Sequence, residues 1–201
     1  MGVVTMTEDV DSNRLAYAVE WGGRAWISLV EEGLGSIEVA GRHVLEIGGR
    51  SGRMAAYLAS LGAEVTTIDI DAGILESAPA EAARLGVAVT AQTDPGDLSS
   101  VPDNAFDLVF TKSVLVAVPD LDRYLDAVVR KLHPGGHLIS IENAEGHRVL
   151  APIRRLRHGR ALRTYRMFDE AQWRLVKQRF EPLYWRHSVL PPVDLFVGVR
   201  R

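Results

Sequence analysis

The residues that could do chemistry begin with a glycine-rich stretch. In HVLEIGGRSGRMAAYLA, residues 43–59, an apolar run passes through Gly48, Gly49 and Gly52 into a helical pattern. A tight turn from strand to helix needs residues that tolerate positive φ and close backbone approach, as glycine does. The amides of such a loop and of the helix start favour negative groups on a ligand. The stretch therefore predicts a loop that holds a nucleotide-type cofactor.

Two acidic residues follow this loop at the ends of predicted strands. Asp69 ends the second strand, where an acid can accept hydrogen bonds from both ribose hydroxyls of an adenosine. Asp71 is better placed than Asp69 to cap the next helix. Asp94, with Pro95 beside it, ends the third strand, where an acid can accept a hydrogen bond from an adenine amino group. In this order, the loop and the two acids indicate an adenosine-containing ligand.

Alternating strands and helices must position these residues. Apolar, β-branched runs predict strands, and Ser51, Asp71 and Asp120 are in place to cap helices between them. Crossovers of this length imply a mostly parallel sheet with helices on both faces. Such a sheet binds its ligand beyond the carboxyl ends of its strands. The predicted strands are 43–47, 64–70, 87–92, 105–111, 137–142, 183–190 and 194–201.

The two ends of the chain complete a single predicted domain, residues 1–201. Residues 1–35 predict a helical cover, and residues 183–201 predict a closing antiparallel hairpin. Asp169 and Gln172 predict a capping box at the start of the helix before that hairpin. No linker, repeat or low-complexity tract divides the sequence.

Composition excludes several classes of protein. The chain of 201 residues has no cysteine, so disulfides and thiol nucleophiles are excluded, and we assign no metal ligands. Its net charge of −3 gives no general reason to expect a nucleic-acid or membrane partner. No apolar run approaches the roughly 18 residues that span a bilayer, and the N-terminus does not read as a signal peptide. We expect a cytoplasmic location.

Four segments together carry a family resemblance: VLEIGGRSG, VTTIDID, TDPGDLSSVPDNAFDLVF and LHPGGHLISIE. Over about residues 40–142 the chain resembles the class I S-adenosylmethionine-dependent methyltransferases, particularly small-molecule enzymes of types 11 and 25. The resemblance implies a three-layer, Rossmann-like α/β fold. Its sheet would have seven mostly parallel strands and an antiparallel last strand. S-adenosylmethionine would be the cofactor and S-adenosylhomocysteine the product.

The resemblance also assigns positions of this chain to parts of the cofactor. It implies contact with the methionine part from Glu46, Gly48, Gly49, Arg50 and Gly52. It implies Asp69 for the ribose, Ile70 and Asp94 with Pro95 for the adenine, and Thr111 and Lys112 near the transferred methyl group.

Charge favours this cofactor over a dinucleotide. S-adenosylmethionine carries an ammonium and a sulfonium and no phosphate, so Glu46 would attract it and would repel a pyrophosphate. An NAD-dependent dehydrogenase is therefore the weaker alternative. Arg50 departs from the family's glycine, and we expect its side chain to lie outward. It could pair with the cofactor carboxylate or with Glu46, or it could reach solvent.

Transfer of the methyl group to an acceptor molecule could use a general base, and such a base could lie after the fifth strand. His147 is the candidate there, with Glu145 or Glu142 as its orienting partner or as an alternative base. His187 falls within a predicted strand and is set aside. Residues 143–167, an arginine-rich lid segment, contain seven arginines: 148, 154, 155, 157, 160, 163 and 166.

The sequence thus predicts a methyltransferase for a small acceptor, anionic or sugar-containing, with O-methylation favoured. The arginines favour an anionic acceptor, although a solvated amphipathic helix would explain them equally well. Two alternatives stay open. The protein could bind S-adenosylmethionine without methyl transfer, in a regulatory or structural role, or it could methylate RNA.

Overall fold

A computed structural model of the chain describes residues 24–144, 167–189 and 192–201. The strands are β1 His43–Ile47, β2 Glu64–Asp69, β3 Thr90–Thr93, β4 Phe106–Lys112, β5 Leu132–Asn143, β6 Phe180–Val189 and β7 Pro192–Arg200. The described α-helices are α1 Arg24–Leu34, α2 Arg53–Ser60, α3 Ala72–Leu75, α4 Ala78–Arg84, α5 Leu121–Lys131 and α6 Glu170–Arg179, and Leu115–Ala117 form a short 3₁₀-helix.

The seven strands form one sheet in the order β3-β2-β1-β4-β5-β7-β6. Strands β1, β2 and β3 pair in parallel, as do β4 and β5. Strand β7 runs antiparallel to both β5 and β6. The predicted Rossmann-like α/β fold, with a seven-stranded, mostly parallel sheet and an antiparallel last strand, is confirmed.

The described residues divide into two compact units, one ending at Ser100 and one beginning at Val101. In the first unit, β1 and β2 form a buried centre against α2, whose Ala55 and Leu58 are fully buried. Helix α2 approaches α4 so closely that a Cβ on Gly52 would lie 2.2 Å from the Cβ of Ala78. Because the three strands are parallel, their carboxyl ends share one edge, and this edge carries the predicted cofactor residues.

The second unit is built on β4, β5 and the β6–β7 hairpin. Its helices begin where the sequence predicted. Asp120 caps α5 by accepting a hydrogen bond from the Arg123 amide at 3.2 Å. Asp169 and Gln172 form the predicted capping box at the start of α6. None of the described helices is both long and apolar enough to cross a bilayer.

Several local predictions were wrong in detail, and β6 begins at Phe180, three residues earlier than predicted. Ser51 does not cap α2, because Gly52 takes the N-cap position with a φ of 79° and no side-chain cap. Strand β3 begins at Thr90 because the amides of Gly86 and Val87 still donate to the end of α4. Strand β5 begins at Leu132, five residues earlier than predicted, with a break in its pairing to β4.

Candidate functional site

The loop between β1 and α2 contains the three predicted glycines, and each meets a different constraint. Gly48 and Gly52 both have a φ of 79°, which side chains disfavour. Gly49 is needed for space, because a Cβ there would lie 1.7 Å from Thr67 Oγ1 and 2.9 Å from Glu46 Oε2. The loop therefore lies directly against β2.

The amides of this loop donate hydrogen bonds within the protein. Those of Gly48 and Gly49 donate to the Ile68 carbonyl at 2.8 and 3.0 Å, and that of Arg50 donates to Asp69 Oδ2 at 2.9 Å. The sequence had predicted amides that point at a ligand. The turn closes onto the end of β2 instead, so these three amides do not form a cradle for a phosphate.

Arg50 occupies a backbone conformation that favours glycine. Its φ is 48°, and the residue is exposed. A left-handed conformation costs a residue with a Cβ about 1–2 kcal/mol. The hydrogen bond from the Arg50 amide to Asp69 helps to hold the chain in this conformation.

Two carboxylates flank the loop. Glu46 is only 4% exposed, and its Oε2 accepts a hydrogen bond from Thr67 Oγ1 at 2.7 Å. Asp69 is half-buried and accepts the Arg50 amide on Oδ2 and the Asp71 amide on Oδ1, at 2.9 and 3.0 Å. A carboxylate offers about four lone-pair sites, so Asp69 keeps the capacity to accept further hydrogen bonds. The loop is thus lined with negative charge.

An apolar surface follows at the end of β2. Ile70 is 73% exposed, and Ile74 is 39% exposed. Gly96, in the turn after β3, lies close enough to Ile70 that an added Cβ would be 3.6 Å from its side chain. This placement is compatible with the predicted packing of Ile70 on an adenine ring, which stays a prediction.

Asp94 lies at the predicted strand end, but its carboxylate is used by the turn that follows. It is 2% exposed. Its Oδ1 accepts the amides of Gly96, Asp97 and Leu98 at 2.7, 3.0 and 3.0 Å, and its Oδ2 accepts the amide and hydroxyl of Ser100 at 3.0 and 2.7 Å. The sequence did not indicate this structural role. The predicted contact of Asp94 and the exposed Pro95 with adenine stays a prediction.

The pKa of Asp94 reflects these contacts. Burial alone would raise the pKa, but the hydrogen bonds from Ser100, Leu98 and Gly96 outweigh burial and lower it below its usual value. The carboxylate is therefore ionised at neutral pH and holds the turn firmly.

The end of β4 presents a different arrangement. Thr111 is fully buried, and its hydroxyl donates to Ser140 Oγ on β5 at 3.0 Å. Lys112 is half-buried, and Ser113 follows with a φ of 55°. The predicted position of Thr111 and Lys112 near a transferred methyl group stays a prediction.

The chain resembles known proteins in both sequence and fold. The family described as "Methyltransferase domain" matches residues 45–140. A solved S-adenosylmethionine-dependent methyltransferase from Methanosarcina mazei shares the fold with a TM-score of 0.68, at 22% identity, over 83% of this chain and 95% of that one. In sequence over residues 45–140, and in fold, the chain is similar to the class I S-adenosylmethionine-dependent methyltransferases.

Two relatives with assigned names are more similar in sequence. A demethylmenaquinone methyltransferase of Tropheryma whipplei is 34% identical over 58% of this chain and 48% of its own length. A ubiquinone biosynthesis O-methyltransferase of Alkalilimnicola ehrlichii is 34% identical over 56% of this chain and 45% of its own length. The chain thus spans about half the length of these relatives.

Glu142 is the buried acid at the end of β5. It is fully buried, and it accepts hydrogen bonds from the amides of Val114, Leu115 and Val116 at 3.3, 3.1 and 3.2 Å. Burial raises the pKa of Glu142 to about 7, and the hydrogen bonds from the amides limit the rise. The sequence had indicated Glu142 only as an orienting partner or alternative base. The pairing of β5 with β4 was needed to show which backbone it holds.

The candidate base His147 and its partner Glu145 lie outside the described residues, as does most of the lid segment 143–167. Both ends of that segment are described. The Phe168 amide donates to the Asn143 carbonyl at 2.8 Å, and Ala144 pairs with Phe168 in a parallel bridge. The segment therefore leaves and rejoins the described structure at the carboxyl end of β5, where the sequence predicted a lid.

A second histidine also lies near this edge of the sheet. His187 on β6 contacts Asp194 on β7, which is 4% exposed and accepts Trp173 Nε1 at 2.7 Å. An imidazole oriented by a buried acid can act as a base. Strand β6 is, however, three strand spacings from β4, roughly 14 Å. His187 is therefore too distant to act on an acceptor beside Thr111, and the Asp194 contacts link α6 to the sheet.

Proposed function

We propose that this chain transfers a methyl group from S-adenosylmethionine to a hydroxyl group of a small acceptor. The observation that carries the proposal is the charge of the cofactor edge. Glu46 and Asp69 flank a loop in which the amides of Gly48, Gly49 and Arg50 already donate to protein acceptors. A cofactor with an ammonium group and a ribose but no phosphate suits this edge better than a dinucleotide.

When bound, the cofactor supplies an electrophilic methyl group on its sulfonium. In the proposal, Glu46 attracts the ammonium group and Asp69 accepts the ribose hydroxyls. The exposed side chain of Ile70 packs on the adenine. Asp94 acts on the adenine mainly through the shape of its turn, because its carboxylate already accepts five hydrogen bonds.

The acceptor is proposed from charge and from the relatives. Seven arginines between residues 148 and 166 favour an anionic acceptor, and His147 is the proposed base for its hydroxyl. The names of the two relatives refer to demethylmenaquinone and to ubiquinone biosynthesis. A carboxylate-bearing phenol such as 3,4-dihydroxybenzoate combines an aromatic hydroxyl with a negative charge, so we choose it as the first acceptor to test.

Calorimetric titration with S-adenosylmethionine, S-adenosylhomocysteine and NAD tests the cofactor. We expect binding of the first two and none of NAD. Asp69→Ala should weaken S-adenosylmethionine binding at least about 100-fold, because two hydrogen bonds to a charged acceptor contribute about 1.5–3 kcal/mol each. Asp71→Ala is the matched control, since Asp71 ends the same segment but only caps α3. Equal affinity in the two folded variants would contradict the ribose assignment.

Turnover separates the enzyme from its alternatives. Formation of S-adenosylhomocysteine should be fastest with 3,4-dihydroxybenzoate and slower with its uncharged methyl ester. Binding of the cofactor without turnover on any acceptor of a phenol, catechol and hydroquinone panel would favour a binding protein. Salt-sensitive binding of RNA together with methyl transfer to it would instead favour an RNA methyltransferase.

A further inference from the structure

The segment after β4 is fastened to the last three residues of β5, each by a different group. The Ile141 carbonyl accepts the Ser113 amide at 2.8 Å. The Glu142 carboxylate accepts three amides, those of residues 114–116. The Asn143 side-chain amide donates to Ser113 Oγ at 3.2 Å. We call residues 113–116 the strapped segment.

Glu142 also connects this segment to the buried part of β4. Thr111 Oγ1 donates to Ser140 Oγ at 3.0 Å, and Ser140 Oγ donates to Glu142 Oε1 at 3.3 Å. Hydrogen bonds therefore link the end of β4 to the turn that follows it by way of β5. Three consecutive amides of this turn depend on one carboxylate.

Holding a turn with a buried carboxylate is energetically unfavourable. Removing a charge from water is unfavourable even after the protein relaxes, and hydrogen bonds only partly compensate for the loss of hydration. Glu142 is fully buried. A neutral acceptor, such as a hydroxyl or a side-chain amide oxygen, could accept amides of a turn that served stability alone. The arrangement therefore points to a position that must be held accurately.

We infer that Glu142 is a positioning residue for methyl transfer, because it fixes the strapped segment and with it Lys112 and Ser113 at the end of β4. The inference rests on the proposed function together with the predicted position of Thr111 and Lys112, at the end of β4, near the transferred methyl group. Methyl transfer is an in-line displacement that depends on alignment. A misplacement of about 1 Å can lower the rate about 100-fold.

Glu142→Gln tests this role with little change in size. The amide nitrogen of glutamine is itself a donor, so it cannot accept the backbone amides that one carboxylate oxygen holds. We expect hydrogen exchange of the amides of residues 114–116 to accelerate at least about tenfold. With 3,4-dihydroxybenzoate as acceptor, kcat should fall about 10- to 100-fold. The calorimetric Kd for S-adenosylmethionine should stay within about twofold, because the proposed ammonium and ribose ligands lie in the other unit.

Asp120→Asn is the matched control, since Asp120 is a carboxylate that caps a helix in the same unit without touching the strapped segment. It should leave kcat and the exchange of residues 114–116 near wild type. Asn143→Ala serves if Glu142→Gln does not fold. It removes only the contact to Ser113 and should lower kcat in the same direction by a smaller factor.

The outcomes separate the inference from the proposed function. Turnover by the wild type together with an unchanged kcat in folded Glu142→Gln would overturn the inference alone. A loss of cofactor affinity as large as the loss of kcat would also overturn it, since it would indicate general damage. Absence of turnover in the wild type on every acceptor would overturn both. Faster exchange at residues 114–116 with a lower kcat and a preserved Kd is the supporting result.

Discussion

In two turns of this protein a buried carboxylate accepts several backbone amides, but the pKa of the carboxylate shifts in opposite directions. After β3, the Asp94 carboxylate collects the amides of its own turn, and beside β4 the Glu142 carboxylate collects three consecutive amides of another turn. The pKa of Asp94 is lowered, whereas the pKa of Glu142 is raised to about 7. Similar hydrogen bonding therefore does not fix the charge of a buried acid.

The two pKa shifts differ because the hydrogen bonds to Asp94 are shorter and more numerous than those to Glu142. Asp94 accepts five hydrogen bonds of 2.7–3.0 Å, including one from the Ser100 hydroxyl at 2.7 Å. Glu142 accepts four of 3.1–3.3 Å and is completely removed from solvent. Shorter bonds stabilise the ionised form of Asp94, while desolvation dominates at Glu142.

Both turns contain a backbone conformation that needs such support. Leu98, whose amide Asp94 accepts, has a φ of 64°, and Ser113, which precedes the amides held by Glu142, has a φ of 55°. Arg50, whose amide Asp69 accepts, has a φ of 48°. In each case a carboxylate on a strand end stabilises a strained turn at the carboxyl edge. Strain of this kind is often found at functional sites.

Removal of the Asp94 carboxylate, which accepts five hydrogen bonds, should have the largest effect on stability. Asp94→Ala leaves the amides of a buried turn without their acceptor, Leu98 among them, and should lower the free energy of unfolding by about 3–4 kcal/mol. Urea denaturation monitored by tryptophan fluorescence measures this change. Asp97→Ala, in the same turn, removes an exposed carboxylate and should change stability far less. Equal losses would mean that the five contacts of Asp94 add nothing to the turn.

The raised pKa of Glu142 predicts a smaller, pH-dependent effect. Because the folded-state pKa of about 7 exceeds the ordinary 4.5, the folded protein retains a proton that the unfolded chain loses. This contribution to stability is complete below pH 4.5, declines as the pH rises to about 7 and is absent above that. Its upper limit is about 3 kcal/mol. The unfolding free energy of wild type minus that of Glu142→Gln should therefore be greater at pH 5 than at pH 8.

An opposite or absent trend would show that the amides keep Glu142 ionised, as they do Asp94. The two buried acids would then behave alike, and the contrast between them would disappear. If the expected trend is found instead, ionisation of Glu142 above pH 7 lowers the stability of the folded protein. Such a loss of stability is tolerated at a functional position.

The sequence predicted the fold better than it predicted these contacts. The mostly parallel sheet follows from the alternation of apolar runs and helices, and the caps at Asp71, Asp120 and Asp169 follow from local spacing. The fastening of residues 114–116 by Glu142 could not be predicted locally, because it joins positions 26–28 residues apart. The five contacts of Asp94 were local, but the sequence could not distinguish an acid that binds a ligand from one that binds its own turn.

The smallest expected effect concerns Arg50, at the third of these turns. Arg50→Gly removes the strain of a φ of 48° but adds conformational freedom to the unfolded chain, so we expect a net gain of about 0.5–1 kcal/mol in unfolding free energy. Asn104→Gly is the control, since Asn104 has a φ of 52° outside the cofactor edge and asparagine tolerates that conformation better. Titration of Arg50→Gly with S-adenosylmethionine then decides the role of the arginine. Unchanged affinity would mean that the guanidinium does not contact the cofactor, whereas weaker binding in a more stable protein would mean that it pairs with the cofactor carboxylate.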